Sequence, residues 1–440
     1  MNHSTKPRMK FGQQSALSRT AMIGVIVIII LIIIIGGYVA ISSSTSKTTT
    51  SSVVTTTPTT TSSSTTSSSV VSSSGGASTT STVAASCPNL STTGAPNTTA
   101  STSSLTNTLP SETVSEAGSS LLYPLFQLWA ANFTAAYPTI KLNTAAGGSG
   151  AGQSGAEKGT LQIGASDAYL SNSLESLYPN VLNIPVAISA QQINYNLPSI
   201  PATDHLNFSG PVLAGIYNGS ITNWSDPHIK ALQSPSVASL LPNATIIPLR
   251  RSDGSGDTFI FTQYLSFTTP SWSGGCGTSI QWPAVAAEEG ENGNGQMVST
   301  CIATKDCIAY IGVSYLREAL NGSLGYAYLE NAAGNFVNIS QTNIQAAANA
   351  KLASTPTDER ISMVNAPGAN SYPIVNYEYT MVLSDQNATG MALTLRTLLS
   401  WAISPQYGNS PYYLNQVNFV PLPSAIEQLS QNQINEITGP

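Results

Sequence analysis

Hydrophobic and polar positions divide this chain into three unlike stretches. Residues Ala21 to Ile41 form an apolar run dominated by isoleucine. It is long enough to span a bilayer and longer than the core of an ordinary signal peptide, so residues 21–41 are expected to be a transmembrane anchor or signal segment. Residues 42–110 are almost all Ser and Thr with scattered Val, Pro and Ala. Such a stretch buries too little apolar surface to repay its ordering entropy, which predicts a disordered segment or a glycosylated stalk. From Ser111 the pattern changes to alternating short elements. The spacing of Leu125, Phe126, Leu128, Trp129 and Phe133 predicts a helix over Leu121–Ala136. A strand (Ile140–Asn143), a helix (Gln153–Lys158), a strand (Leu161–Ile163) and a strand pair near Val181–Tyr195 follow. Similar units run through Tyr315, then a polar helix (Asn343–Ser354), an extended run (Tyr372–Leu383) and a helix (Gly390–Trp401). Strand–helix alternation predicts α/β sheets, in which ligands collect at the carboxyl ends of strands and at helix N-termini.

Charge sets the orientation. The first twenty residues carry Lys6, Arg8, Lys10 and Arg19 and no acid. The positive-inside rule therefore places residues 1–20 in the cytoplasm and everything after Ile41 outside, at the cell surface. Processing near Ala16-Leu17-Ser18 would shorten the basic end and leave the anchor. Asn-x-Ser/Thr sequons at Asn132, Asn207, Asn218, Asn223, Asn243, Asn321, Asn338 and Asn387 suit a membrane-anchored surface glycoprotein. Charged residues make up only 8% of the chain, with a net charge of −6, against about a quarter in an ordinary protein. This low density suits an acidic exterior, and with no basic tract beyond the N-terminus it excludes nucleic-acid binding. Four cysteines (Cys87, Cys276, Cys301 and Cys307) are free to oxidise outside the membrane. Cys301–Cys307 is the first expected bridge and Cys276–Cys301 the second, with Cys87 left in the stalk. Three scattered histidines (His3, His205 and His228) and no close Cys pair give no metal-ligand spacing. The acidic segment Glu288–Asn294 lacks the alternating ligands of a calcium loop and reads as a solvated loop.

The chemistry concentrates in small-residue turns. Arg250-Arg251-Ser252-Asp253-Gly254-Ser255-Gly256-Asp257-Thr258 follows an apolar run and precedes a helical one. Gly254 and Gly256 allow a tight turn that exposes backbone N–H groups. Ser255 and Thr258 can cap a helix or donate to an oxyanion at the positive end of its dipole. Arg251 offers a planar fork of donors that Asp253 can hold in place. Gly118-Ser119-Ser120-Leu121 and Gly147-Gly148-Ser149-Gly150 are further turns of this type, and Gly164-Ala165-Ser166-Asp167 adds a carboxylate. Together these predict a site for a tetrahedral oxyanion.

In order along the chain, these segments resemble the phosphate-binding protein of the Pst-type ABC importer. The matching stretches are Gly118-Ser119-Ser120-Leu121-Leu122-Tyr123-Pro124, Gly148-Ser149-Gly150, Gly164-Ala165-Ser166-Asp167, Ile221-Thr222-Asn223-Trp224, Arg250-Arg251-Ser252-Asp253-Gly254-Ser255-Gly256 and Ala309-Tyr310-Ile311-Gly312. The resemblance implies a two-lobed, type II periplasmic-binding-protein fold with a hinge. Lobe 1 would hold residues 111–194 plus 376–440 and lobe 2 residues 195–375, with crossings near Tyr195 and Val375. It implies phosphate contacts from Ser120, the Leu121 amide, Ser149, Asp167, Arg251, Ser255, the Gly256 amide and the residue at position 257, here Asp257, supported by Ser119, Asp253 and Thr258. It also implies ABC permease and ATPase subunits as partners, a monomeric receptor, no cofactor and no catalysis. The family often has Phe where this chain has Leu121, and usually Thr where it has Asp257. An Asp257 that faces the ligand would favour the doubly protonated monoanion; one that caps its helix would point away. Asp167 is expected to reject sulfate, which has no proton to give it. Binding of another oxyanion and hydrolysis of surface phosphoesters are the rival readings.

Overall fold

The computed structural model describes residues 108–440, so the expected basic end, anchor and stalk, and Cys87, lie outside the described residues. Among those described, no helix is long and apolar enough to cross a membrane.

The main sheet is built from β1 (Glu112–Gly118), β2 (Ile140–Ala146), β3 (Ile163–Ser166), β4 (Val181–Tyr195), β6 (Ile247–Arg251), β7 (Glu289–Glu291), β8 (Cys307–Gly312) and β12 (Val375–Leu383) in the spatial order β2-β1-β3-β12-β4-β8-β6-β7. The short β9 (Gly325–Tyr326) pairs with the end of β4. β5 (Asn207–Phe208), β10 (Tyr328–Glu330) and β11 (Phe336–Val337) form a small separate sheet. β1 runs parallel to both β2 and β3, and β6 runs parallel to β7 and β8. Each group of parallel strands therefore presents its carboxyl ends together, which is where a βα fold gathers its helix N-termini.

β4 carries the sheet from one group to the other. The pattern predicts a strand pair over Val181–Tyr195, but these residues form one continuous strand with every residue buried. The strand is covered on both faces, so its polar residues Asn183, Ser189, Gln191, Gln192 and Asn194 are buried with the apolar ones and mark no turn. Val181–Ala190 pairs with β12, and Gln191–Tyr195 pairs with β8. The change of partner falls at Gln191, and Gln191 N donates to Ile374 O (3.0 Å) beside the start of β12. A register shift opposite Glu378 and Tyr379 twists this central pair.

Helix α1 (Tyr123–Ala136) buries Leu125, Phe126, Trp129 and Phe133, the face its spacing predicts. Trp129 and Phe133 meet Trp401 edge-on at 6.5 and 5.6 Å, which ties α1 to the helix Thr389–Ile403. Each such side chain removed from water contributes about 1.5–3 kcal/mol. Helices α2 (Ser149–Glu157), α3 (Gly256–Thr268) and α4 (Gly293–Ala303) all begin at the carboxyl end of a strand. The acidic segment expected as a solvated loop instead forms edge strand β7 and the start of α4. Cys301 and Cys307 join as a disulfide that closes the end of α4 onto β8.

Candidate functional site

Four residues from the first group of strands end at one place. Ser119 and Ser120 follow β1, Ser149 opens α2 after β2, and Asp167 follows β3. Ser119 Oγ accepts the amides of Leu121 (3.0 Å) and Leu122 (2.9 Å), which locks the turn into α1, and donates to Asp167 Oδ1. Ser149 Oγ donates to the other carboxylate oxygen (3.2 Å) and accepts the Asp167 amide (3.2 Å). Gly148 has φ +81° and a built Cβ would strike the Asp253 carboxylate, so only glycine fits before Ser149.

The second group supplies the cation. Arg251 ends β6 and is 3% exposed. Its Nε donates to Asp253 Oδ1 (2.6 Å), one terminal nitrogen pairs with Asp253 Oδ2, and Nη1 donates to Asp257 Oδ2 (2.7 Å). Burial pulls its pKa down, and the two carboxylates more than restore it, so the guanidinium stays charged. Ser255 caps α3 by accepting the Thr258 amide (3.2 Å). Thr258 Oγ1 meets the Tyr310 hydroxyl (2.8 Å), which also accepts the Arg251 amide (2.8 Å), so Thr258 braces the turn from behind.

The two groups touch. Gly150 N donates to Gly254 O (2.8 Å), and a Cβ on Gly256 would lie 2.5 Å from Asp167 Cβ and 2.6 Å from Ser149 Oγ. Ser314 Oγ donates to Leu121 O (2.8 Å) across the same junction. Asp257, whose side chain was open between capping its helix and facing the site, does not cap. It is fully buried and turned inward, taking Asn294 Nδ2 (2.6 Å) and Gln191 Nε2 (3.2 Å) besides Arg251.

The sequence reading missed Asn294, Gln191, Tyr310 and Glu378. Asn294 opens α4; its amide and Nδ2 both donate to Ser120 Oγ (3.0 Å each), and its Oδ1 accepts the Gly312 amide (2.7 Å). The signal was present in Asn292-Gly293-Asn294-Gly295, another small-residue turn before an apolar pattern (Met297, Val298), but the neighbouring acids hid it. Gln191 and Glu378 sit within strands, where no motif marks them. Burial, aided by the nearby Asp257, pushes the Asp167 carboxyl up to about 7. Burial and the Asp167 charge hold Glu378 well above the carboxylate range, while Ser189 Oγ and Asn376 Nδ2 (3.1 Å) bind its Oε1. The site is a cluster of hydroxyl, amide and guanidinium donors around the carboxylates of Asp167, Asp253 and Asp257.

The family profile of the PBP superfamily domain matches residues 58–406. The phosphate-binding protein PstS of Methanocaldococcus jannaschii is 32% identical over 335 residues, covering 72% of this chain and 84% of that protein. This chain belongs to the PstS family. PstS of Xylella fastidiosa (strain 9a5c) is likewise 32% identical, over 70% of this chain and 81% of its own. Among solved structures, a high-affinity periplasmic phosphate-binding protein (PfluDING) bound with phosphate aligns with TM-score 0.58 at 17% identity, over 75% of this chain and all of its own. The phosphate-binding protein from Stenotrophomonas maltophilia aligns with TM-score 0.53 at 17% identity, over 73% and 93%. The fold is thus the mixed α/β periplasmic-binding-protein fold of the PstS family, with the Arg251 turn and the Ser119–Ser120 turn facing one another across it.

Proposed function

We propose that this chain is an extracytoplasmic solute-binding protein that captures inorganic phosphate between two lobes and delivers it to the permease and ATPase subunits of an ABC transporter for ATP-driven uptake. The observation that carries the reading is that the turns opening α1, α2 and α3 meet at the buried Asp167, while Arg251 and the start of α4 meet at the adjacent buried Asp257. Ser120, the Leu121 amide and Ser149 would donate from one lobe, and Arg251, Ser255 and the Gly256 amide from the other. Asp253 fixes the Arg251 fork so that little rotamer freedom is lost on binding. Asp167 accepts the proton that phosphate retains and sulfate lacks, which leaves sulfate facing a bare acceptor.

Lobe 1 comprises residues 111–194 plus 376–440 and lobe 2 residues 195–375, in the type II arrangement. The hinge lies where the chain crosses, and the partner change of β4 at Gln191 beside Ile374 supports that placement. Only a closed form satisfies donors from both lobes, so phosphate shifts the open–closed equilibrium through its differential affinity. The permease reads the closed shape of a monomeric receptor. The anchor over residues 21–41 and the stalk over 42–110 keep the receptor at the outer surface and raise its effective concentration near the permease. Hydrolysis is disfavoured because His205 bonds the Tyr326 carbonyl and His228 bonds Asp226, leaving neither to activate a site serine.

Calorimetric titration of the purified full-length chain tests the reading. We expect one-to-one phosphate binding and no heat from sulfate. Equal responses to both anions would turn the site into a general oxyanion receptor, and sustained cleavage of a chromogenic phosphate ester would make it a phosphohydrolase.

A further inference from the structure

Resting on the phosphate-capture reading, we propose that Asp257 is a second proton acceptor, so that the site takes phosphate as the dihydrogen monoanion, with one acidic proton directed to Asp167 and the other to Asp257. The argument begins with position. The helix cap that Asp257 could have supplied is made by Ser255. Asp257 Oδ2 instead lies between Arg251 Nη1 (2.7 Å) and Asn294 Nδ2 (2.6 Å), and the same Nδ2 reaches Ser120 Oγ (3.0 Å) on the opposite lobe. Asp257 therefore stands at the point where donors of both lobes meet, not behind it.

Charge gives the second step. The three guanidinium nitrogens of Arg251 are already divided between Asp253 and Asp257. An anion that pulled Arg251 away from Asp257 would strand a buried carboxylate, which is unfavourable in a poorly solvated site. An anion that brings a proton to Asp257 makes a charge-assisted O–H···O contact there and leaves the ion pair intact. The hydrogen phosphate dianion has one such proton and satisfies either Asp167 or Asp257, leaving the other as an acceptor against a doubly charged ligand. The dihydrogen monoanion satisfies both.

The titratable groups that face Asp257 are Arg251 at the end of β6, Asp253 in the following turn, Asp167 after β3, Tyr310 on β8 and Tyr315 beyond it. Glu378 on β12 faces Asp167 in turn. Burial raises both tyrosines, Tyr315 to about 12, so both stay neutral through the range that matters. Burial likewise raises Asp257 and Asp167, as expected of sites that favour a shared proton.

Calorimetry of the full-length chain at pH 8 in buffers of different ionisation enthalpy reads the proton count directly. With inorganic phosphate as probe, we expect uptake of about one proton per phosphate bound. Affinity should fall by about tenfold per pH unit above the second ionisation of phosphate. Asp257→Asn should abolish the uptake and flatten that slope, because an amide can donate to the dianion. Phosphate binding without proton uptake in the unaltered chain overturns the proposal while leaving phosphate capture standing, whatever the variant does. Absence of phosphate binding at pH 5 and pH 8 alike overturns the capture reading and this proposal with it.

Discussion

A buried carboxylate beside an anion is stabilising only when the anion donates a proton to it, the role proposed above for Asp167. Ser119 and Ser149 fix its two oxygens, and burial raises it to about 7. Replacing Asp167 with Asn keeps the size and reverses the hydrogen-bonding sense of one edge. Loss of a hydrogen bond to a charged group costs about 1.5–3 kcal/mol, so Asp167→Asn should weaken phosphate binding by roughly 10- to 100-fold. It should also let sulfate compete, and a titration of phosphate in the presence of sulfate measures both effects. Unchanged sulfate rejection would mean that Asp167 does not read the ligand proton.

Turns that feed helices are the recurring element of this protein. α2, α3 and α4 each start from a small-residue turn, and the turns pack against one another as closely as backbone allows. Gly256, at the first position of α3, has Asp167 Cβ and Ser149 Oγ within 2.6 Å of where a Cβ would stand. The obstruction lies between elements, not within the helix. Gly256→Ala should therefore leave thermal unfolding nearly unchanged while lowering phosphate affinity by at least about tenfold, or ~1.4 kcal/mol. Small-angle scattering with and without phosphate would show the lost closure. A variant that closed and bound normally would contradict the observed approach of the two groups.

At the scale of the molecule, several of the chain's few carboxyl groups lie where water is excluded. Burial is the leading cause of raised pKa values at Glu116 (about 8), Asp167 (about 7), Asp257, Glu359 and Glu378. A carboxyl with a raised folded-state value keeps its proton after the unfolded chain has released its own. The folded state is then favoured most below the unfolded value, near 4.5 for Glu116, and stability falls as pH rises toward and through about 8. Chemical denaturation at pH 5 and pH 8 should show a loss on the order of a few kcal/mol. Glu116→Gln should remove the share of that loss that belongs to Glu116 and make the profile shallower. Greater stability at pH 8 than at pH 5 would refute the assignment.

The chain alone determines the parts. Local spacing places α1 on its buried face, and the Gly–Ser turns announce helix starts because their conformations are set within a few residues. Ser119, Ser120, Ser149, Asp167, Arg251, Asp253, Ser255 and Gly256 are legible for the same reason: each sits in a local motif whose chemistry is written in its neighbours. Tertiary structure decided the rest. Whether Val181–Tyr195 was one strand or two depended on β12 and β8, which cover it from distant parts of the chain. The inward turn of Asp257 depended on Arg251, Gln191 and Asn294 arriving together, and Asn294 looked solvated until Ser120 met it from the other side. Sequence specifies a conformation where the deciding contacts lie within a turn or two. Where they lie 174 residues away or more, only the packed molecule brings the partners together.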